Sequence, residues 1–256
     1  METKTAILDP SVLEAITDAG LAMMASGAEV SRVEDTIERL ARAYKVTGLH
    51  VVAFPTAIFV ASPTATVLRR IQRRSVNLAA VAAINQLSRD VADNPIPLAE
   101  FRQKLAQAET LSPYTPLQSV LFAAGAAGLM SQLMGGRVID MIPAAVAGML
   151  TQLIRQKLRR TSIPGSLSDL LAAVAAVLPA LLAAQDPVFR PGAILVGGIM
   201  VLAPGLLLTT AVRDGIAGDL LSAAARLLEA LLVGGAVAAG ASLPLYVYLS
   251  FGGRWP

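Results

Sequence analysis

The chain contains no cysteine, a single histidine at His50, and few charged or aromatic residues. The absence of thiols excludes disulfide bonds and cysteine catalysis, and one imidazole disfavours a metal site built on histidine ligands. Charged residues make up 15% of the chain, against about 25% in an average soluble domain. With a mean hydropathy of +0.62, this composition indicates a protein that lies largely in a membrane.

The charges that are present are unevenly distributed. Most of them precede residue 110, and the rest form short clusters between apolar stretches. This division predicts a soluble domain at 1–112 and a membrane domain at 113–256. The net charge of +3 does not indicate a nucleic-acid partner, because membrane proteins accumulate Lys and Arg in their cytoplasmic loops. We therefore expect contacts with the lipid bilayer and none with nucleic acid.

The soluble domain shows both helical and strand patterns, which predicts a small α/β fold. Branched and aromatic residues at 50–61 and 66–71 indicate two or three strands, with Pro55 at an edge or a bulge. Helices are predicted at 10–24, 26–44, 77–91 and 98–109.

The second of these helices is the most strongly patterned, with apolar residues at steps of three and four. Ser26 and Glu29 have the spacing of a capping box, in which each side chain satisfies a backbone amide at the helix start. Asp35 and Arg39 are spaced to form an i,i+4 ion pair on the polar side.

The membrane domain contains five apolar stretches close to the 20 or so residues that a helix needs to cross a bilayer. They cover 117–134, 138–154, 167–184, 192–212 and 227–249. All are rich in Ala and Gly, whose small side chains let helices approach closely in lipid. The predicted fold class is a membrane protein, in which a small N-terminal cytoplasmic α/β domain precedes an all-α bundle of about five transmembrane helices.

The fourth predicted span is interrupted. No charge lies between Gly192 and Val212, yet Pro204 and Gly205 occur inside this stretch. Proline removes a backbone donor, and a membrane helix tolerates such a break only where other groups satisfy the freed carbonyls. Broken helices of this kind form the substrate sites of many transporters. The alternative is a proline-kinked helix that serves only packing.

Polar residues at and after the break are candidates for a substrate path. An arginine in the predicted cytoplasmic linker would attract a carboxylate, and aspartates there would bind an ammonium or relay a proton. The alternative is a loop whose charges neutralise one another. The candidates are Pro204, Gly205, Thr209, Thr210, Arg213, Asp214 and Asp219.

Asp140, in the second predicted span, is a further candidate for the path. Ionisable residues within spans usually face a cavity or a partner, because a charge in lipid is costly. The alternative is a position at the outer interface, since Asp140 follows Arg137 by three residues.

Basic residues predict the orientation of the chain. A cluster after the second span marks its loop as cytoplasmic, which places the N-terminus inside and the C-terminus outside. This cluster consists of Arg155, Lys157, Arg159 and Arg160. A second cluster in the soluble domain indicates a solvated or lipid-headgroup-facing surface, and the alternative is a ligand site. It consists of Arg69, Arg70, Arg73 and Arg74.

Two motifs resemble signatures of the threonine/serine exporter family. The first is Ser26-Gly-Ala-Glu-Val-Ser-Arg-Val-Glu-Asp-Thr-Ile37. The second is Ala203-Pro-Gly-Leu-Leu-Leu-Thr-Thr-Ala-Val-Arg-Asp-Gly-Ile-Ala-Gly-Asp219. They occur in the family's order, and the resemblance covers nearly the whole chain. One departure is Lys45, where the family usually has glycine, and we expect a changed turn there.

The resemblance implies an exporter of small molecules in the bacterial inner membrane. In this family the present unit is either fused to a second hydrophobic unit or encoded separately. The chain is similar to the separate, YjjP-type form, which works with a smaller membrane subunit, and a homo-oligomer is also expected. The resemblance implies export of threonine and serine for the fused form and export of succinate for the separate form.

A charged cluster at the start of the second helix has a predicted gating or assembly role. Its members are Glu29, Arg32, Glu34 and Asp35, with Arg32 expected to bridge Glu29 and Asp35. The family's N-terminal part is sometimes described as hydrolase-like. However, a triad of Ser31, His50 and Asp35 would lack the Gly-x-Ser-x-Gly elbow, and no phosphate-binding loop is present. We therefore expect no catalytic residue, no metal and no cofactor.

These observations together predict one subunit of a secondary exporter for succinate-type organic acids or for threonine and serine. Alternating access would occur around the broken fourth span. The alternative is a membrane-anchored signalling or hydrolase-like domain whose spans serve only as an anchor. An anchor has no need for Pro204 and Gly205 in mid-membrane.

Overall fold

The computed structural model describes residues 10–72, 75–112, 114–158, 161 and 163–255. The chain divides into two compact units, described separately below. The first unit comprises Met1–Pro113 and Leu208–Leu227, and the second comprises Tyr114–Leu207 and Leu228–Pro256. Of the basic clusters predicted above, Arg73, Arg74, Arg159 and Arg160 lie outside the described residues.

The N-terminal part of the first unit combines helices with a small sheet, as predicted. Its helices are α1 (Pro10–Ala25), α2 (Val30–Ala43), α3 (Leu78–Asp93) and α4 (Leu98–Glu109). Its strands are β1 (His50–Phe54), β2 (Ala57–Ala61) and β3 (Thr66–Arg70). The strands form an antiparallel sheet in the order β1-β2-β3. Pro55 lies in the turn between β1 and β2, where it has no ladder hydrogen bond to donate, and not at an edge or bulge of the sheet.

Large aliphatic side chains fill the interior of the first unit. The apolar face of α2 is fully buried, as its periodicity predicts, with Val33, Ile37 and Leu40 all at 0% exposure. Ile16 of α1 and Phe101 of α4 belong to the same core. Because these residues are large and apolar, their burial away from water provides the main driving force for folding of this unit.

The predicted capping box at the start of α2 is wrong. The helix begins at Val30, its preceding residue Glu29 is extended, and no side chain of that residue caps the helix. The change of turn expected at Lys45 stays a prediction. Lys45 adopts φ +59°, a left-handed conformation that glycine adopts more readily than lysine.

Within residues 113–256, the predicted membrane domain, the structure has helices at every predicted position. They are α5 (Pro116–Leu133), α6 (Met141–Leu158), α7 (Gly165–Ala183), α8 (Pro191–Met200), α9 (Gly205–Ala217) and α10 (Leu220–Ser250). Within the described residues, three helical segments are long and apolar enough to cross a membrane. They are Val138–Leu158, Gly165–Ala183 and Leu220–Ser250, and the bent pair α8 and α9 makes a fourth if it counts as one span.

Three or four of the five predicted spans are therefore confirmed. The remaining helix, α5, is 18 residues long but is not among these spans. Gln118 and Gln132 lie near its two ends, and their polarity reduces the apolar length that the helix offers to lipid.

Small residues allow the helices of the second unit to pack closely. A Cβ atom on Gly148 of α6 would lie 2.5 Å from the carbonyl oxygen of Ala123 and 2.6 Å from Cβ of Ala127, both on α5. A Cβ atom on Gly234 of α10 would meet nothing within 4 Å. Only some of the glycines in the spans therefore serve helix packing.

Candidate functional site

The fourth predicted span is broken where the sequence indicates. Helix α8 ends at Met200, the backbone turns through Val201–Pro204, and α9 begins at Gly205. Proline has no amide hydrogen and restricts the residue before it, so a helix ends readily at this point. The break predicted at Pro204 and Gly205 is confirmed.

The predicted linker after this span is wrong in its position. Helix α9 continues to Ala217, so Arg213 and Asp214 lie within a helix. The helix ends at Gly218, which has φ +95°, and the N–H of Asp219 donates to the carbonyl of Asp214 at 2.9 Å. A left-handed glycine with this bond is a common helix terminator. Of the three charged candidates, only Asp219 lies beyond α9.

Asp214 forms a buried ion pair with Arg226 of α10. Their side chains are 1% and 6% exposed, and Oδ2 of Asp214 lies 2.8 Å from Nε of Arg226. Both residues belong to the segment Leu208–Leu227, which packs in the first unit.

The ion pair also holds the start of α2. The N–H of Val30 donates to Oδ1 of Asp214 at 3.2 Å, and Nη2 of Arg226 donates to the carbonyl of Ala28 at 2.6 Å. Nη1 of Arg226 lies 3.5 Å from Oγ1 of Thr210. Ser26 was predicted to provide a side-chain acceptor at this helix start. The carboxylate of Asp214, 184 residues beyond Val30, provides one instead. The aspartate and arginine together fix the loop before α2 onto α9.

Arg226 is not among the candidates that the sequence indicates. One signal was available, because Arg226 and Glu229 are the charged residues of the otherwise apolar 31-residue helix α10. An ionisable residue in such a helix usually has a specific partner. Its spacing from Asp214 follows no helical repeat, so the partner could not be identified from the pattern.

Arg213 has a different environment from its neighbour Asp214. Its side chain is 61% exposed and forms an ion pair with Glu29, which is also 3.6 Å from Arg32. An ion pair with such an exposed partner contributes little stability, about 0–1 kcal/mol. Arg32 was expected to bridge Glu29 and Asp35, but among the described residues its ion pair is with Glu29 alone.

Glu34 connects α2 to the sheet. Its carboxylate accepts the N–H of Ala53 at 2.9 Å. Burial raises the pKa of the Glu34 carboxyl, the hydrogen bond from Ala53 opposes this, and the negative charges of Asp219, Glu38 and Asp35 add to the rise. Asp219 therefore acts on the N-terminal charged cluster electrostatically.

The candidate Asp140 lies in the second unit, whereas Thr209 lies on α9 in the first. Asp140 is fully buried in a short 3₁₀ turn, Val138–Asp140, just before α6. Its carboxylate accepts the N–H of Arg137 at 2.5 Å and that of Arg190, the residue before α8, at 2.9 Å. A carboxylate in this position stabilises the start of a helix. The structure thus places Asp140 at the end of its span, with a capping function for α8.

A polar pocket lies between α2 and α3. It has a volume of about 280 Å³, and Ser31, Arg32 and Asp35 are among the residues that line it. His50 begins β1 and is not among them, so this pocket does not assemble the triad considered above.

Comparison with known proteins identifies the class of this chain. Residues 14–248 match the family ThrE, described as "Putative threonine/serine exporter". The chain belongs to this family. The resemblance of its two motifs is thereby confirmed, and the chain is a multi-pass membrane protein of an exporter family.

A relative and a structural comparison add to this result. The "Probable threonine/serine exporter" of Mycobacterium tuberculosis (strain ATCC 25618 / H37Rv) is 26% identical over 234 residues. The alignment covers 87% of this chain and 44% of the relative, so the chain spans less than half of that protein's length. No solved structure is significantly similar to the chain.

Proposed function

We propose that this chain is one unit of a secondary exporter in the bacterial inner membrane. Its substrates are threonine and serine or small organic acids of the succinate type. Family membership and the name of the mycobacterial relative support the exporter class. The observation that carries the mechanism is the break between α8 and α9 in an apolar stretch.

The break provides the place at which access alternates. Half-helix ends within a span are where transporters commonly coordinate substrates. Pro204 and Gly205 form this break, and Thr209 is exposed on α9 shortly after it. We assign these residues to the substrate path.

The charged residues of α9 divide into two roles according to burial. Arg213 is exposed, and a guanidinium binds a carboxylate in a bidentate manner, so a substrate carboxylate can compete with Glu29 for it. Asp214 is buried against Arg226 and therefore anchors α9 to the loop before α2. In this scheme the N-terminal charged cluster, including Glu29, controls access to Arg213.

The resemblance stated above implies that this unit works together with further membrane segments. We propose that a second, smaller membrane subunit of the same family supplies them, alone or within a larger oligomer. The basic residues Arg155 and Lys157 at the end of α6 favour a cytoplasmic N-terminus and an external C-terminus. Coupling to a proton gradient is part of the proposal.

Efflux from liposomes tests the proposed function. The chain is reconstituted alone and with the second subunit, and release of preloaded labelled threonine, serine and succinate is measured under an imposed proton gradient. We expect efflux of one substrate class when both subunits are present. Absence of efflux of all three, with subunit binding confirmed, would favour the alternative of a membrane-anchored domain.

Two variants test the broken span specifically. Pro204→Ala and Thr209→Val are each expected to reduce efflux by about tenfold, the effect of losing roughly 1.4 kcal/mol of substrate or transition-state binding. Pro244→Ala is the matched control, because Pro244 lies inside the continuous helix α10. Unchanged efflux in both test variants would show that the break is not the substrate path.

A further inference from the structure

The proposed transport path assigns no ligand to the polar pocket between α2 and α3. Besides Ser31, its lining includes Glu29, Arg32, Asp35, Arg39, Asn85 and Arg89. A volume of about 280 Å³ lies just below the range of roughly 300–1,000 Å³ found for drug-sized ligands. The pocket therefore suits a small polar metabolite.

Arg39 is held in place by neutral partners. Its Nη1 donates to Oδ1 of Asn85 at 3.2 Å and to Oγ of Ser88 at 2.8 Å. Ser88 is fully buried, and its hydroxyl donates in turn to the carbonyl of Asn85 at 2.7 Å. The predicted ion pair of Arg39 with Asp35 is not among the contacts of the described residues. The guanidinium is thus positioned by neutral groups of α3.

The charges of the pocket are arranged for a ligand with both signs. Three arginines line it against two carboxylates, and one of these, Glu29, is already engaged by Arg32 and Arg213. Arg39 and Arg89 offer the planar donors that bind a carboxylate in a bidentate manner. Asp35 is exposed on the same wall and offers an acceptor for an ammonium group.

We propose that this pocket is a binding site for a small α-amino acid, whose carboxylate contacts Arg39 and Arg89 and whose ammonium contacts Asp35. Glu29 belongs to the pocket wall and also forms the ion pair with Arg213 of α9. A ligand that attracts Arg32 or Glu29 alters this ion pair, so the pocket would regulate Arg213. That regulatory consequence rests on the proposed function, whereas binding itself does not.

A fluorescent label next to the pocket tests binding in the full chain. The chain has no cysteine, so Ala82→Cys provides a single labelling site, on an exposed position one turn before Asn85. The labelled protein is placed in lipid nanodiscs and titrated with L-threonine, L-serine and succinate. We expect saturable fluorescence changes with the two amino acids, and a weaker response to succinate because Asp35 repels its second carboxylate.

Variants assign the binding to the pocket. Arg39→Gln and Asp35→Asn are each expected to weaken amino-acid binding by about tenfold or more, the effect of losing one charge-assisted hydrogen bond. Arg42→Gln is the matched control, because Arg42 is exposed on α2 and does not line the pocket. Size-exclusion profiles verify that each variant is folded.

Several outcomes would overturn the proposal. One is that neither amino acid binds saturably. Another is that Arg39→Gln and Arg42→Gln weaken amino-acid binding equally. The third is that succinate binds as tightly as the amino acids and is unaffected by Asp35→Asn. The outcome for the proposed function is separate. Amino-acid binding without liposome efflux would refute the proposed exporter and support the pocket as a binding site. Efflux without binding would support the exporter and refute the binding site.

Discussion

The two units of this protein bury different kinds of side chain. In the first, the core consists of large residues such as Leu13, Ile37 and Phe101. In the second, the most deeply buried positions are mostly alanines, whereas large residues such as Leu121 and Leu129 are 59% and 61% exposed. Water drives large apolar side chains inward, but lipid provides no such force, so helices there associate through close backbone contact.

The segment Leu208–Leu227 does not follow this division. Its sequence lies among the membrane helices, yet its contacts are with the first unit. It contributes a buried ion pair to that unit, in place of either large aliphatic residues or closely packed glycines. The contrast between the units therefore depends on which residues pack together. The place of a segment in the sequence does not fix its packing partners.

Breaking this ion pair is expected to have the largest effect. Arg226→Met leaves the Asp214 carboxylate buried without its partner, which should destabilise the first unit by about 3–5 kcal/mol. The measurement is hydrogen exchange at the amides of α2 in the full chain in nanodiscs. The double variant Asp214→Leu with Arg226→Met should recover most of the loss, because no charge remains buried. Equal losses in the single and double variants would show that the pair is not the cause.

A cavity in the core of the first unit is expected to have the next largest effect. Ile37 is fully buried, and Ile37→Ala should cost about 2–5 kcal/mol through lost burial and an unfilled cavity. Leu129→Ala is the control in the second unit, where the side chain is 61% exposed and should contribute little. Thermal unfolding of the full chain in detergent compares the two, and similar midpoints would contradict the difference between the units.

Enlarging a packed glycine tests the second unit. Gly148→Leu forces α5 and α6 apart, because even a Cβ atom would lie 2.5 Å from the carbonyl oxygen of Ala123. The expected cost is about 1–3 kcal/mol, the usual range for overpacking. Gly234→Leu, with open space around that glycine, should be tolerated. Resistance to detergent-induced aggregation is measured for both variants. Reduced resistance in both would show that helix packing is tight at Gly234 as well.

The smallest expected effect concerns pH. Because burial raises the folded-state pKa of Glu34, the folded protein binds this proton more tightly than the unfolded chain does. The contribution of Glu34 to stability should therefore fall as pH rises from about 4.3, the ordinary value for glutamate, through its raised folded-state pKa. Glu34→Gln should remove this decline and keep an acceptor for Ala53.

Unfolding of the first unit between pH 4 and 7, followed by circular dichroism, measures the change. Glu14→Gln removes a carboxylate from an exposed position on α1 and serves as the control. A decline that persists in Glu34→Gln would mean that other groups cause it.

Much of the local structure could be predicted from the chain. The apolar face of α2 was correct because helix periodicity involves residues within one or two turns. The break at Pro204 and Gly205 was correct because proline acts on its own backbone. The extent of α9 was predicted wrongly. Arg213 and Asp214 were placed beyond the helix, whereas it continues to Ala217 and ends at Gly218.

The candidate site was predicted less completely. Arg213 and Asp214 are adjacent in sequence and were treated together, yet the fold exposes one and buries the other. Arg39 was assigned Asp35 as its partner from i,i+4 spacing, whereas Asn85 and Ser88 of α3 hold it. In each case the partner lies outside the residue's own helix, so spacing along that helix could not identify it.

The sequence by itself determined the membrane class, the family and the position of the broken span, because composition, motifs and proline act without reference to distant residues. Only the tertiary structure decided that Asp214 supplies the acceptor at the start of α2 and that Arg226 neutralises it. Hydrogen bonds and ion pairs depend on which groups the fold brings within about 3 Å, and separation along the chain does not limit that choice.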